Sequence, residues 1–260
     1  MALQATLGLA FPGEYRDEEW IRLSWWGNDL VTLLFAAPAL IASTVAASRG
    51  SVRGRLVELG VIAYGVYNYA FYAFGAALNR LFIVYIAAVV LSGVVLIARV
   101  GRMDVRAVAV RLPARPILRG VAAYLGLVAT GLAAVWVGSW AAFAFAGRLT
   151  PIEPGAFRLV AALDLTLMVP TMAAGGHFLW RSRPWGLVIS ALALVQGSLY
   201  LLVLSVNSLV AVAGDLVDAP GEAPIWGTLF VLTVLAAAVL FYGMKRASSV
   251  TTEPSRTFSI

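Results

Sequence analysis

The sequence predicts an all-α, polytopic membrane protein: a bundle of seven transmembrane helices with the N-terminus outside and the C-terminus inside. Three observations carry that expectation. Of 260 residues, 61% are hydrophobic and only 12% are charged, whereas about a quarter of a soluble domain is charged. Seven apolar runs reach the roughly 20 residues that a hydrocarbon core demands. The arginines gather in alternate loops, as the positive-inside rule requires.

Composition also removes chemistries. There is no cysteine, which excludes disulfides, thiolate catalysis and Cys-ligated metals. His177 is the single histidine, so a multi-His metal centre and a bis-His haem within one chain are excluded. No cofactor and no metal is expected. Lys245, the single lysine, falls at the end of the last span, which rules out a retinal-type Schiff base inside a helix. Net charge is +6, but the basic residues lie between apolar runs, so topology accounts for them and nucleic acid is not an expected partner.

Residues 1–26 read as an external segment. Leu7 to Pro12 is apolar but too short for a signal peptide and lacks a basic flank. Glu14, Asp17, Glu18 and Glu19 follow, and Trp20, Trp25 and Trp26 read as interfacial anchors before the first span. The seven-helix domain occupies 27–246, with spans near 28–48, 59–79, 81–100, 118–146, 157–180, 185–208 and 225–244. Asn79-Arg80 makes a tight hairpin between the second and third. With the N-terminus outside, the inner segments hold 14 of the 19 basic residues, and nine of the thirteen acids, Asp215, Asp218 and Glu222 among them, fall outside. The inner stretch 99–119 carries Arg99, Arg102, Arg106, Arg111, Arg115 and Arg119 and is expected to meet anionic headgroups. Residues 247–260 read as a flexible cytoplasmic tail, and the whole as a multi-pass protein of the cell membrane.

An internal repeat is suggested by spacing. Asn68, Tyr72 and Asn79 in the second span match Gln196, Tyr200 and Asn207 in the sixth, each set running amide, +4 tyrosine, +11 asparagine. Pro38 precedes Arg49 by eleven residues, as Pro170 precedes Arg181. A 3+1+3 plan follows, with spans 1–3 and 5–7 as parallel repeats and the fourth as an inverting linker. That topology resembles the SWEET and PQ-loop transporters, which have seven spans, an external N-terminus and parallel three-helix repeats. The likeness rests on topology and on Pro38 and Pro170. No Pro-Gln pair stands at a span, and the second and sixth spans lack that family's hinge prolines. The run Tyr67-Asn68-Tyr69-Ala70-Phe71-Tyr72 is similar to a group of bacterial multi-pass membrane proteins, a likeness that implies no function.

At 100° per residue, Tyr64, Asn68, Tyr72, Gly75 and Asn79 share one face of a helix. Amides at membrane depth turn toward protein or water, because an unpaired amide in hydrocarbon is costly. Asp164 reads as the one acid well inside a span, and an intramembrane acid is a functional hypothesis by default. The ligand-binding set expected from these patterns is Asn68, Tyr72, Asn79, Asp164, Gln196, Tyr200 and Asn207. They would line a polar cavity between spans 1, 2, 5 and 6, open outward, with Tyr85, Asn28 and Asp29 in its outer half. The bland alternative for each amide is an interhelical hydrogen bond. His177 lies thirteen residues, about 20 Å, along the helix from Asp164, so the two cannot act together. Gly175-Gly176 is expected to let a helix approach closely or flex.

Three functions fit these residues. The first is binding or transport of a small molecule. The second is an intramembrane enzyme acting on a lipid or isoprenoid, with Asp164 as catalytic acid; no other catalytic candidate is found. Seven-span membrane terpene cyclases have similar size and architecture, although no motif matches them. The third is a non-catalytic scaffold or sensor.

Overall fold

Helix α1 (Ala2–Ala10) is the first departure from the sequence reading. It carries the apolar patch around Leu7 and packs on the N-terminal half of the next long helix. The structure, a computed structural model, describes residues 1–215 and 220–245, and of Glu19 and Trp20 the backbone alone. The Trp20 side chain, Asp218 and the 247–260 tail lie outside the described residues. Apart from short turns, every regular element among those residues is a helix.

The first long helix runs from Glu19 to Ser48 as α2 (Glu19–Val31), a π-helical turn (Thr32–Ala36) and α3 (Ala37–Ser48). It is followed by α4 (Val52–Gly75), α5 (Phe82–Gly101), the short α6 (Val105–Ala109) and α7 (Arg115–Ala146). A second interrupted helix comprises α8 (Pro154–Leu163), a π-helical turn (Asp164–Met168) and α9 (Val169–Trp180). The bundle ends with α10 (Pro184–Ala213) and α11 (Ala223–Gly243). Six stretches are long and apolar enough to cross a membrane: Ile21–Ser48, Phe82–Gly101, Arg115–Ala146, Pro154–Trp180, Pro184–Ala213 and Ala223–Gly243. The remaining expected span is α4. It is not among the six, because Arg53, Arg55, Glu58, Asn68 and four tyrosines dilute its apolar residues. It is instead the most enclosed helix, packed against α3, α5, α8 and α10.

Both π-turns have the same cause. Proline lacks the N–H for the i−4 carbonyl, and its ring crowds that carbonyl. Counting back from Pro38 reaches Leu34, and from Pro170 reaches Thr166, each in the middle of a π-turn. The extra residue per turn widens the helix where the ring intrudes, a device that recurs at functional sites.

The turns that follow are built alike. Arg49 and Arg181 close α3 and α9 with nearly identical dihedrals, φ −83° in each. Gly50 and Ser182 then take positive φ, 84° and 54°. The amides of Gly50 and Ser51 bond the carbonyls of Ala47 and Ala46, both at 3.0 Å; those of Ser182 and Arg183 bond Leu179 and Phe178 at 2.8 and 3.0 Å. Two residues into the next helix, Gly54 lies against the backbone of Ala46-Ala47 and Gly186 against that of Phe178-Leu179. Every member of one set is 132 residues from its counterpart. The amide pattern that suggested a repeat is offset by 128, from Asn68 to Gln196. Because α4 and α10 both run unbroken from these turns, no bulge absorbs the missing four residues. The 132 register pairs Asn68 with Tyr200, and Tyr64 with Gln196.

Packing follows the same division. Helix α4 lies between α3 and α5, α10 lies between α9 and α11, and α4 meets α10 at the centre. Helix α7 packs along α9, and Gly176 permits this by lying 3.1 Å (measured from an added Cβ) from the Ala122 carbonyl. Asp104 caps α6, accepting from the amides of Arg106 and Ala107 at 3.0 Å. Val108 is fully buried against the bundle while Arg106 faces out.

Candidate functional site

Helix α4 carries polar side chains toward two different neighbours. Tyr67 and Tyr72 are five residues apart, about 7.5 Å along the axis and 140° around it, and each reaches a separate buried carboxylate.

The first is Asp29, which is fully buried. Its Oδ1 accepts from Gln4 Nε2 at 3.1 Å and from Tyr72 OH at 2.9 Å, and its Oδ2 accepts from Tyr15 OH. Gln4 belongs to α1 and Tyr15 to the turn after it, so the N-terminal segment closes directly over this acid. Burial and the neighbouring Asp29 carboxylate push the Tyr15 phenol well above its ordinary pKa. Trp25 packs beside both Tyr15 and Tyr72, with ring centroids at 6.3 and 4.6 Å, and its Nε1 donates to Asp17 Oδ2 at 2.9 Å. Two sequence expectations are corrected here. Asp164 is not the one acid deep in a helix, because the first helix begins at Glu19, earlier than apolarity suggested, and Asp29 falls ten residues inside it. Trp25 is no interfacial anchor, since it is 1% exposed.

The second carboxylate is Asp164, also fully buried. Tyr67 OH donates to Oδ1 at 2.7 Å and Trp136 Nε1 of α7 donates to Oδ2 at 2.8 Å. The indole N–H can only donate, so both carboxyl oxygens of Asp164 serve as acceptors here, one from a phenol and one from an indole. Tyr200 of α10 meets Tyr67 edge-on, centroids 5.1 Å apart. Among the described residues, neither Asp29 nor Asp164 has a Lys, Arg or His within 4 Å.

The seven residues expected to line one cavity therefore divide. Asp164 and Tyr200 meet through Tyr67. Tyr72 joins Asp29. Asn207 donates to Asn28 Oδ1 at 3.1 Å, tying α10 to α2. Asn79 lies past the end of α4 and holds its own turn, donating to the Ala77 carbonyl and accepting from the Leu81 amide at 3.0 and 2.8 Å. Asn68 is buried between Tyr64, which bonds Thr32 at 2.9 Å, and Tyr72, and its Nδ2 has no partner. Gln196 is buried on α10. His177 is exposed against Phe178.

A third polar group lies at the end of the bundle where the arginines collect. Glu58, buried in α4, accepts from Thr44 Oγ1 at 3.0 Å and pairs with Arg99 at 3.1 Å. Beside it is a cavity of about 370 Å³ between α3, α4 and α5. Sequence reading assigned Glu58 to a loop, because the run of apolar residues begins just after it. Gln4, Tyr15, Tyr67 and Trp136 were also missed. Tyr67 stood within the tyrosine-rich run, but nothing in the spacing singled out its partner.

No protein-family model, curated protein or solved structure matches this chain. What sequence and fold define together is a helical multi-pass membrane protein with two buried, tyrosine-bonded carboxylates and a charged pocket at one end.

Proposed function

We propose that this protein is a multi-pass carrier of the cell membrane that moves a small polar solute, coupled to protonation of Asp164. The observation that carries the reading is the pair of buried carboxylates without cationic partners among the described residues, Asp29 three residues before one proline-linked π-turn and Asp164 the first residue of the other. An uncompensated buried charge is strongly unfavourable, so such an acid is where a proton or a cationic group is taken up and released. Pro and π-turns are the positions at which a helix bends.

In this reading α4 is the second of seven spans. Its 24 residues extend about 36 Å, enough for a core of roughly 30 Å. The N-terminus is outside and the C-terminus inside, with the arginine-rich 99–119 stretch against inner anionic headgroups. Matching turns after α3 and α9 support a 3+1+3 repeat, with α7 as linker. Asp164, Tyr67, Tyr200, Asn68 and Gln196 would contact solute, and α1 with the Asp29 cluster would close the outer side.

The test is uptake by reconstituted vesicles under an imposed pH gradient, with an entrapped pH dye and a panel of amines, amino acids, sugars and short carboxylates. Wild type is expected to acidify the lumen in the presence of at least one solute. Asp164→Asn, which preserves shape and can still meet Tyr67 and Trp136, is expected to fold with an unchanged melting temperature and to abolish that signal. Solute-independent behaviour of the wild type, or an Asp164→Asn variant that matches it, sinks the proposal.

A further inference from the structure

The cavity between α3, α4 and α5 is open to the surface and unusually charged for its surroundings. Arg55, Arg99 and Arg102 line it, with Glu58, Thr44 and Ser48. At about 370 Å³ it lies within the range of small-ligand pockets, roughly 300–1,000 Å³.

Its charges are not self-compensated. Glu58 is 4% exposed and is matched by Arg99, which is 48% exposed. Among the described residues neither Arg55 nor Arg102 has an acid within 4 Å. Helix electrostatics explains only part of this. Arg99 and Arg102 stand at the C-terminal end of α5, where the macrodipole favours cations. Arg55 stands in the first turn of α4, where it disfavours them. Arg53, in that same turn, has found an acceptor in the Met244 carbonyl at 2.9 Å. Arg55 is half-buried with no such partner.

We infer that this pocket binds a phosphate monoester group. Arg55 and Arg102 would grip its oxygens, and Glu58 and Thr44 would act as positioning residues that hold Arg99 in place. The planar guanidinium fork matches phosphate geometry and donates to two oxygens at once. The single buried carboxylate does not favour a cationic ligand, because Arg99 already pairs with it and three guanidinium groups line the same cavity. The same chemistry is offered by a phospholipid headgroup and by a soluble phosphate ester. The inference does not depend on the transport reading above.

Native mass spectrometry of the protein released from nanodiscs of phosphatidylcholine doped with phosphatidic acid provides the first arm. Titration with glycerol 3-phosphate in pure phosphatidylcholine nanodiscs provides the second. Arg55→Gln/Arg102→Gln is expected to lose about ten-fold or more in bound ligand, given two charge-assisted contacts. Arg148→Gln/Arg158→Gln, with the same charge change at exposed positions away from the pocket, is expected to retain it. Ser48→Trp, which places at this position the residue found at Trp180, is expected to block the pocket without removing charge. Retention of phosphatidic acid identifies a lipid headgroup, and saturable binding of glycerol 3-phosphate identifies a soluble ester. If neither binds, or if the surface pair loses as much as the pocket pair, the inference is overturned.

Discussion

The turn from α3 to α4 and the turn from α9 to α10 share one backbone design, yet the chemistry beneath them is opposite. Under the first, Thr44 and Glu58 meet Arg99 beside an open, charged cavity. Under the second, the residues 132 positions on are Gly176 and Ser190. Ser190 is fully buried, Gly175 lies against it, and α7 packs on Gly176. A hairpin of two helices thus sets where side chains point without setting what they do. The difference comes from the neighbour: α7 covers α9, and no helix covers α3 in the same way. Where a helix closes over the hairpin the site is small and uncharged; where the hairpin lies open, a carboxylate and a guanidinium pair beside a cavity.

The sharpest way to break this comparison is to transplant the acid. Ser190→Glu would place a carboxylate where no cation waits, an error of several kcal/mol for an unpaired buried charge. It is expected to abolish folding as judged by size-exclusion profile in detergent; a monodisperse, cooperatively melting Ser190→Glu protein would show that the second hairpin is wetter than its packing indicates.

Next come the glycines that let the helices touch. An added Cβ at Gly186 meets the Leu179 and Phe178 backbone, and one at Gly54 meets Ala46 Cβ at 2.7 Å and the Ala47 amide at 2.9 Å. Overpacking of this kind costs about 1–3 kcal/mol. Thermal melts should show both Gly54→Ala and Gly186→Ala destabilised, Gly186→Ala the more. Equal tolerance at both would mean the hairpins are looser than drawn.

Smaller is the effect of the positive-φ residue. Gly50→Ala should lose about 1 kcal/mol, the usual penalty for a side chain in the left-handed region, whereas Ser182→Gly should be neutral or slightly stabilising. A stabilising Gly50→Ala or a destabilising Ser182→Gly in a chemical-denaturation series would undo the claim that the two turns are equivalent.

The smallest effect is expected at the start of the second unit. Glu153 accepts from the Gly155 and Ala156 amides, both at 2.8 Å, and these bonds hold its carboxyl below the ordinary glutamate pKa. A depressed folded-state value adds stability above the unfolded pKa, lost as pH falls through the folded one. Glu153→Gln should lower the melting temperature slightly near neutrality and not at all once wild-type Glu153 is protonated. Because the side chain is exposed, a large shift at neutral pH would mean that α8 depends on more than its cap.

Much of this molecule was written in its apolar runs. They are long, nearly free of charge and separated by arginines, and that alone places the helices to within a few residues at most ends. Asp164 was legible for the same reason: a lone acid in such a run stands out. Asp29 did not, because it lies close to Glu18, Glu19 and the tryptophans and reads as the edge of a span. Only folding the N-terminal segment back as α1, with Gln4 and Tyr15 over the carboxylate, makes it interior. The amide pattern misled by one helical turn for a related reason. Spacing along a helix records which residues share a face, but register between two helices is set by the turn that launches each one.

The sequence by itself determined that the chain is helical and membrane-embedded, because the cost of exposing backbone and apolar side chains is local and additive along the chain. The tertiary structure decided which polar groups meet. Tyr67 with Asp164, Tyr72 with Asp29 and Glu58 with Arg99 are choices among many tyrosines and arginines, made by helix rotation and by which neighbour covers each face, and no spacing within one helix carries that information.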